Sequence, residues 1–313
     1  MNQERIDKAI QRLKLGAELS QMHYKKPLII CYSGGKDSDV LLDLAFRAGI
    51  EFEVINNHTT CDAPETVYHI RDKIKECQGK GIKAQTIQNT YADGRPKTMW
   101  NLIIKKHTLP TRVMRFCCSE LKENTTYTKG RIIATGIRWD ESTRRKNTRG
   151  EFEILAKSAD ASIRTNLERM LLTDNDESRQ FVEKCEMKGE TIVNPIIDWL
   201  DSDIWDYISE NNLKVNPLYS QGFERVGCIG CPMAGTKVRE KEFRQYPKYK
   251  LNYMRTIETM LRERERLEMK PFLHRKFPNG ATAQQTFDWW MQNGGQMSID
   301  DFEIQEFMKE EEE

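Results

Sequence analysis

Apolar positions from Ile6 to Met22 recur at intervals of three and four, the period of one helical face, and predict an amphipathic N-terminal helix. Short apolar runs then alternate with helical patterns. Leu28 to Tyr32 reads as a buried strand, Asp39 to Ala48 as a helix, Glu51 to Asn56 as a strand, Pro64 to Cys77 as a helix and Lys83 to Gln88 as a strand. A helix near Thr98 to Lys106 and a strand from Arg131 to Ile137 follow. Strands separated by helix-length crossovers pair in parallel, so the pattern predicts an α/β fold built on a doubly wound, mostly parallel sheet. Ligands of such sheets bind beyond the C-terminal strand ends. From Thr236 onward the character changes to charged helical segments, Glu240 to Met269 and Thr282 to Gln292, punctuated by Pro271, Pro278 and Gly280. The expected organisation is a main domain over residues 1–235 and a helical C-terminal appendage over residues 236–313. Glu310 to Glu313 reads as a frayed acidic tail.

Composition narrows the class. Of 313 residues, 38% are hydrophobic and 31% charged, and no stretch approaches the roughly 18 uninterrupted apolar residues of a membrane span. Met1 to Lys14 is charged and lacks the apolar run of a secretory signal, so a cytoplasmic protein without membrane contact is expected. Net charge is +1, yet Asn101 to Gly150 holds twelve Lys and Arg against four Asp and Glu. A local excess of eight positive charges in a neutral chain points to an anionic ligand. The cytosol keeps thiols reduced, which disfavours disulfides among the eight cysteines. Cys31, Cys61, Cys77 and Cys185 are isolated, whereas Cys117-Cys118 and Cys228-x-x-Cys231 are grouped.

The strongest local signal is Ser33-Gly34-Gly35-Lys36-Asp37-Ser38, set between a predicted strand and a predicted helix. Adjacent glycines let backbone N–H groups approach an anion, and the helix turns its positive N-terminal end toward the charge. Lys36 adds a mobile cation, Ser33 and Ser38 add hydroxyl donors, and Asp37 is placed to cap the helix or hold Mg2+. The order differs from Walker A. Arg138 and Arg145 follow a predicted strand end, where guanidinium forks grip phosphate or sulfate, with Glu141 available to orient one of them. Trp199 and Trp205 read as core packing, His58 as a polar contact, and His69 receives no role. Four grouped thiols select zinc or an iron-sulfur cluster, and vicinal cysteines suit two irons of a cube better than one tetrahedral zinc; cluster, zinc and plain thiols all stay open. Gly227 and Gly230 would let backbone N–H groups reach the sulfurs. Cys61 is a sulfur-carrier candidate or a buried inert thiol, the second reading being favoured.

The six-residue loop is the signature of the PP-loop, or N-type ATP pyrophosphatase, superfamily of adenine nucleotide alpha-hydrolase-like proteins. Further segments resemble its phosphoadenosine phosphosulfate (PAPS) reductase family. Pro64-Glu65-Thr66 is similar to the end of the family's second-strand loop, although Asn57-His58-Thr59 replaces the usual opening. Arg115-Phe116-Cys117-Cys118-Ser119-Glu120-Leu121-Lys122 resembles Arg-x-Cys-Cys-x-x-Leu-Lys, and Gly136 to Arg145 resembles Gly-x-Arg-x-x-Glu-Ser-x-x-Arg. Asn194 to Trp199, Asp203-Ile204-Trp205, Asn216 to Tyr219 and Gly227 to Cys231 resemble the closing part.

This resemblance implies a nucleotide held by Ser33 to Ser38, Gly136, Arg138, Glu141 and Ser142, with Lys36, Asp37, Arg138 and Arg145 at the chemistry. It implies a 4Fe-4S cluster on Cys117, Cys118, Cys228 and Cys231, as in adenylyl-sulfate reductases and the DNA phosphorothioation protein DndC. One departure bears on the reaction: sulfonucleotide reductases carry a C-terminal Glu-Cys-Gly-Leu/Ile-His nucleophile, and no cysteine follows Cys231 here. The expected function is ATP-dependent activation of an acceptor by adenylation, with pyrophosphate release and sulfur delivery through the cluster. A nucleic-acid acceptor, a cysteine desulfurase or other sulfur or electron donor, and a homo-oligomer are the implied partners. The alternatives are a reductase of adenylyl sulfate or PAPS and a nucleotide- and cluster-sensing module without turnover.

Overall fold

The computed structural model describes residues 2–123, 127–157, 167–172 and 190–293. Cys185 and the Glu310 to Glu313 tail lie outside the described residues. Helix α1 spans Gln3–Tyr24 and starts before the apolar stripe because the Asn2 side chain accepts the Glu4 N–H and caps it. Strand β1 (Leu28–Cys31), helix α2 (Lys36–Ala48), β2 (Phe52–Asn57), α3 (Pro64–Gly79) and β3 (Ala84–Ile87) follow as the alternation predicted. Strand β4 is shorter than expected, Ile132–Ala134, because the chain beyond Thr135 leaves the ladder and turns toward the start of α2. Strands β5 (Phe152–Lys157), β6 (Leu167–Leu172) and β7 (Glu190–Val193) have no counterpart in the predicted pattern. Further helices are α4 (Met99–Lys105), α5 (Phe116–Cys118), α6 (Thr143–Thr148), α7 (Asp201–Glu210), α8 (Thr236–Gln245), α9 (Pro247–Arg266) and α10 (Ala283–Asn293).

Contacts divide the chain into two compact units. The first comprises Met1–Asn57, Pro64–Ile87 and Thr126–Val226; the second comprises His58–Ala63, Gln88–Thr125 and Gly227–Glu313. Among the described residues of the first unit seven strands form one sheet in the order β3-β2-β1-β4-β7-β5-β6. Neighbours from β3 to β7 pair in parallel, while β5 runs antiparallel to β7 and to β6. The sheet is thus mostly parallel with flanking helices, and strand order reverses between β1 and β4, the switch point where a crevice opens at the strand ends. Its core joins Leu13 of α1, Leu28 and Ile30 of β1, Leu41 and Leu44 of α2, Ile132 of β4 and Trp199, all buried. Arg12, also buried, reaches from α1 to Asp198 (2.8 Å) and the Pro195 carbonyl (3.0 Å).

The second unit is helical around an aromatic core. Tyr253 and Trp290 have ring centroids 4.7 Å apart, with Phe243, Phe287 and Trp100 around them. The Trp290 indole donates to the Pro110 carbonyl at 2.8 Å, tying α10 to the segment before the vicinal cysteines. The single helix expected from Glu240 to Met269 is two, α8 and α9. Pro247 has no N–H to continue the α8 ladder and takes the first position of α9, where none is needed. No helix among the described residues is long and apolar enough to cross a membrane.

Leu41 is fully buried between α2 and the sheet. Truncation, Leu41→Ala, is expected to cost about 2–5 kcal/mol of stability. Urea unfolding followed by circular dichroism measures it, and a cost near zero would mean that α2 is not docked on β1.

Candidate functional site

The glycine loop leaves β1 at the switch point and enters α2. Gly34 adopts φ +76°, and a Cβ there would lie 2.7 Å from Ile70 Cγ1, so both conformation and space require glycine. Its carbonyl accepts the Asn216 amide at 3.0 Å, and the same amide nitrogen reaches Thr66 Oγ1 at 3.0 Å, fixing the turn from two sides. Gly35 is the N-cap of α2 and brings no capping side chain. Ser38 Oγ donates to the Gly35 carbonyl at 2.7 Å and lies 3.3 Å from Ser33 Oγ, so both hydroxyls line the first turn. Beneath it, the Tyr32 hydroxyl donates to Asp39 at 2.6 Å and His69 Nε2 meets the same carboxylate at 3.0 Å, three buried polar groups that brace the helix entry.

The loop after β4 comes up against this turn. A Cβ on Gly136 would stand 3.2 Å from the Asp37 carbonyl carbon and oxygen, so glycine lets the two backbones meet closely and any side chain would push them apart by a few tenths of an ångström. Two residues on, Arg138 is buried and forks between carboxylates: Nε donates to Asp37 at 2.5 Å and Nη2 to Asp201 at 2.8 Å, with Asp140 3.5 Å from Nη1. Burial works against its charge, but Asp37, Glu141 and Asp201 outweigh it and hold the guanidinium above its ordinary range. Glu141 accepts the Arg138 N–H at 3.1 Å and pairs with Arg145. Ser142 caps α6 by accepting the Arg145 N–H at 3.2 Å. The pKa of Arg145 is lowered, first by burial and then by Arg149 and Arg225, despite its pairing with Glu141.

Lys36 is buried at the head of α2. Its Nζ lies 3.0 Å from Asp201 and 5.8 and 5.7 Å from the ring centroids of Trp205 and Tyr219, while its backbone N–H is accepted by the Tyr219 hydroxyl at 2.9 Å. Trp205 is 36% exposed, a correction to the core role expected of it; Trp199 is core as predicted. The difference follows from α7, whose apolar face carries Ile204, Tyr207 and Ile208 inward and leaves Trp205 on the rim. Burial alone would raise the Asp201 pKa, but the Lys36 and Arg138 contacts hold it below the usual carboxylate range.

The grouped thiols lie in the second unit. Cys117 donates to Cys118, which holds Cys118 below the ordinary thiol range; burial opposes this and Lys122 and Arg115 reinforce it, Arg115 Nη2 lying 3.5 Å from the Cys118 sulfur. The hydrogen bond to Cys118 and burial raise Cys117, and charges on Cys118, Cys228 and Cys231 add to this, so the four sulfurs share one electrostatic neighbourhood. Removal from water pushes Cys228 up to about 12. Four thiols fit a thiophilic metal or cluster by donor chemistry, with the Asp62 and Thr59 side chains beside Cys228. Among the described residues, however, no group of three or more His, Cys, Asp or Glu side chains is arranged to hold a metal ion. The Cys228 to Cys231 loop is held by Glu242, which accepts the Gly230 N–H at 2.7 Å, and by the Ile229 N–H bond to the Cys61 carbonyl at 2.8 Å. The Gly230 N–H is therefore spent on a carboxylate instead of a sulfur. Gly230 is glycine for a different reason: its φ is +74° and a Cβ would lie 2.5 Å from Phe243.

A family model described as the phosphoadenosine phosphosulfate reductase domain matches residues 27–234. The chain belongs to that family. Two uncharacterized proteins of Methanocaldococcus jannaschii are 25% and 27% identical to it over 234 and 242 residues, 72% and 74% of the chain. The chain spans less than half of each of them, 40% and 49%. An adenosine 5'-phosphosulfate reductase of Staphylococcus haemolyticus is 24% identical over 212 residues, 66% of this chain and 71% of that protein. Similar solved structures include the U34-tRNA thiolase NcsA from Methanococcus maripaludis with its 4Fe-4S cluster, at 14% identity and a TM-score of 0.44 over 95% of this chain and 92% of that one. A PAPS reductase from Candida auris follows at 17% identity and a TM-score of 0.39, over 73% of this chain and 96% of that one.

Of the predicted residues, the structure brings Ser33 to Ser38, Gly136 and Arg138 together, with Glu141, Ser142 and Arg145 on the adjoining turn. Asp201, Tyr219, Asn216, Asp39 and His69 were missed. Tyr219 and Asn216 stand in a family-like segment that suggested no role by itself, and Asp201 carries no local signal. The excess of basic residues between Asn101 and Gly150 is largely spent inside the units: Arg131 on the Pro27 carbonyl and Glu53, Arg112 on the Pro232 carbonyl, Arg149 on Glu153. Cys61 is fully buried 3.7 Å from the Tyr253 hydroxyl, and burial raises its pKa, as the inert reading predicted. In metal-free protein at neutral pH, iodoacetamide is expected to label Cys118 first and to spare Cys61 until urea unfolds the second unit. Peptide mass spectrometry reads the order, and early labelling of Cys61 would contradict its placement.

Proposed function

We propose that the chain binds ATP at the loop between β1 and α2 and adenylates an oxygen of an acceptor, preparing it for sulfur transfer. The observation that carries this reading is the meeting of two glycine-dependent loops, Ser33 to Ser38 and Gly136 to Arg138, at the switch point of the sheet. Together they set a helix start whose N-cap glycine brings no side chain, Lys36, Arg138 and two serine hydroxyls around one crevice. This is a polyphosphate receptor in its chemistry: amides and hydroxyls for oxygens, a guanidinium fork and an ammonium for charge.

In the proposed reaction the loop holds the triphosphate and the acceptor oxygen attacks the α-phosphorus. The bond to the bridging α–β oxygen breaks, and the electron pair leaves with pyrophosphate. Lys36 and Arg138 are placed to stabilise charge on the phosphoryl oxygens. Asp37 would hold a magnesium ion, which when bound would supply charge neutralisation for the leaving pyrophosphate. Cys117, Cys118, Cys228 and Cys231 would hold a 4Fe-4S cluster; when bound, such a cluster supplies redox or sulfur-handling chemistry. The burial of Cys61 supports this reading over sulfonucleotide reduction, because the thiol that reduction would need from this part of the chain is sealed from substrate. A nucleic-acid acceptor and a cysteine desulfurase as sulfur donor complete the proposal.

Anaerobically purified protein is expected to release pyrophosphate from ATP when offered the right nucleic-acid pool. Lys36→Ala should lower that rate by about 100- to 1,000-fold. Thioredoxin-dependent sulfite formation from adenylyl sulfate or PAPS would instead establish a reductase, and ATP binding without turnover on any pool a sensor. Iron and acid-labile sulfide assays test the cluster: zinc without sulfide would overturn that part of the reading.

A further inference from the structure

Three donors from three elements converge on one carboxylate at the mouth of the loop. Asp201 Oδ1 receives Lys36 Nζ at 3.0 Å and Arg138 Nη2 at 2.8 Å, and Oδ2 receives the Trp205 indole N–H at 3.2 Å. An ammonium and a guanidinium meeting on one carboxylate oxygen, with an indole N–H on the other, form a set of donors that suits a phosphoryl group equally well. Here the chain's own side chain fills it. Building on the nucleotide reading of this loop, we infer that Asp201 is an internal counter-anion, seated in a phosphate subsite and displaced when a polyphosphate chain binds.

Charge and exposure both favour Asp201 as the group that leaves. The side chains of Lys36 and Arg138 are 9% and 3% exposed, whereas that of Asp201 is 52% exposed. Removing either cation from the crevice would strand a buried charge; rotating Asp201 outward returns a carboxylate to water. Asp37 is less able to leave, because its backbone is pinned under Gly136 and its side chain is held by Arg138 Nε. With Asp37 and Asp201 opposite Lys36 and Arg138, the crevice is already neutral, and Asp140 stands 3.5 Å from Arg138 as a further acid. A neutral crevice gives a small oxyanion little reason to enter. A polyphosphate that also gains the loop amides and the serine hydroxyls offsets the three contacts it displaces. Asp201 is therefore a specificity-determining residue that selects chains of phosphates over single sulfate or phosphate ions.

The test is calorimetric titration of the full chain with ATP and with inorganic pyrophosphate, comparing wild type with Asp201→Asn, Asp201→Ala and Asp206→Asn. The last makes the same charge change at an exposed position further along α7. Both Asp201 variants are expected to bind the two ligands about tenfold tighter or more, with Asp206→Asn unchanged, and to gain measurable affinity for inorganic phosphate. Wild-type binding that stays equal or weakens in both Asp201 variants overturns the inference alone, leaving the nucleotide site standing. Equal tightening in Asp206→Asn also overturns it, since the effect would then be diffuse charge. Failure of every protein to bind ATP or pyrophosphate overturns the nucleotide reading and the inference together.

Discussion

The first unit is organised by one close approach: the backbone after β4 lies against the first turn of α2, tight even for a single added methyl group. Gly136 is the residue that permits it, with Asp37 backbone atoms 3.2 Å from where a Cβ would be. Everything at the crevice depends on that contact. Arg138 leaves the same loop aimed at Asp37, and Glu141 folds back to accept its N–H, so hydrogen bonds hold the arginine in place. Asn216 and Tyr219 then lock the opposite side of the loop through Gly34 and Lys36. A sheet whose strand order reverses between β1 and β4 places both loops at the same edge.

The parallel half of this sheet was legible in the sequence because each strand there is a short apolar run and each crossover an amphipathic helix. Strands β5 to β7 were not. β7 carries Glu190 and Thr191, and β5 opens on Phe152 and Glu153, so neither shows a continuous apolar run or a clean alternation. Glu153 is fully buried all the same, paired with Arg149 at 3.0 Å and with the Asn194 amide at 2.7 Å, a tertiary arrangement that a one-dimensional pattern cannot contain. The loop and both arginines were legible as chemistry, since glycine pairs and basic residues at strand ends have a local meaning. Asp201 and His69 were invisible for the converse reason: their roles come from partners 165 and 30 positions away.

The second unit shows the same logic around sulfur. Residues that read as ligands in the sequence, Cys228 and Cys231, depend on the C-terminal helices for their presentation. Glu242 and Phe243 of α8 fix Gly230 between the two cysteines, and Tyr253 of α9 donates to the Ile229 carbonyl at 3.2 Å. Helices that look like an addition in a hydropathy pattern are thus the scaffold of the thiol loop. Their charged appearance in sequence conceals a buried face of Phe243, Tyr253, Ile257 and Met260.

Arg239 makes the same point about cost. It is 1% exposed, stacks 4.1 Å from the Trp290 ring and donates from Nη1 to the Trp290 carbonyl at 2.9 Å, yet its Nε and Nη2 are buried with no hydrogen-bond partner among the described residues. Burial lowers its pKa to about 10, far enough above neutrality for the charge to survive. A base whose folded pKa lies below its unfolded one weakens the fold while protonated, here by on the order of 3 kcal/mol at neutral pH, and the penalty fades as pH rises through about 10. An apolar residue stacked on Trp290 would avoid it. Nearby negative charge on Glu242 acts in the opposite sense.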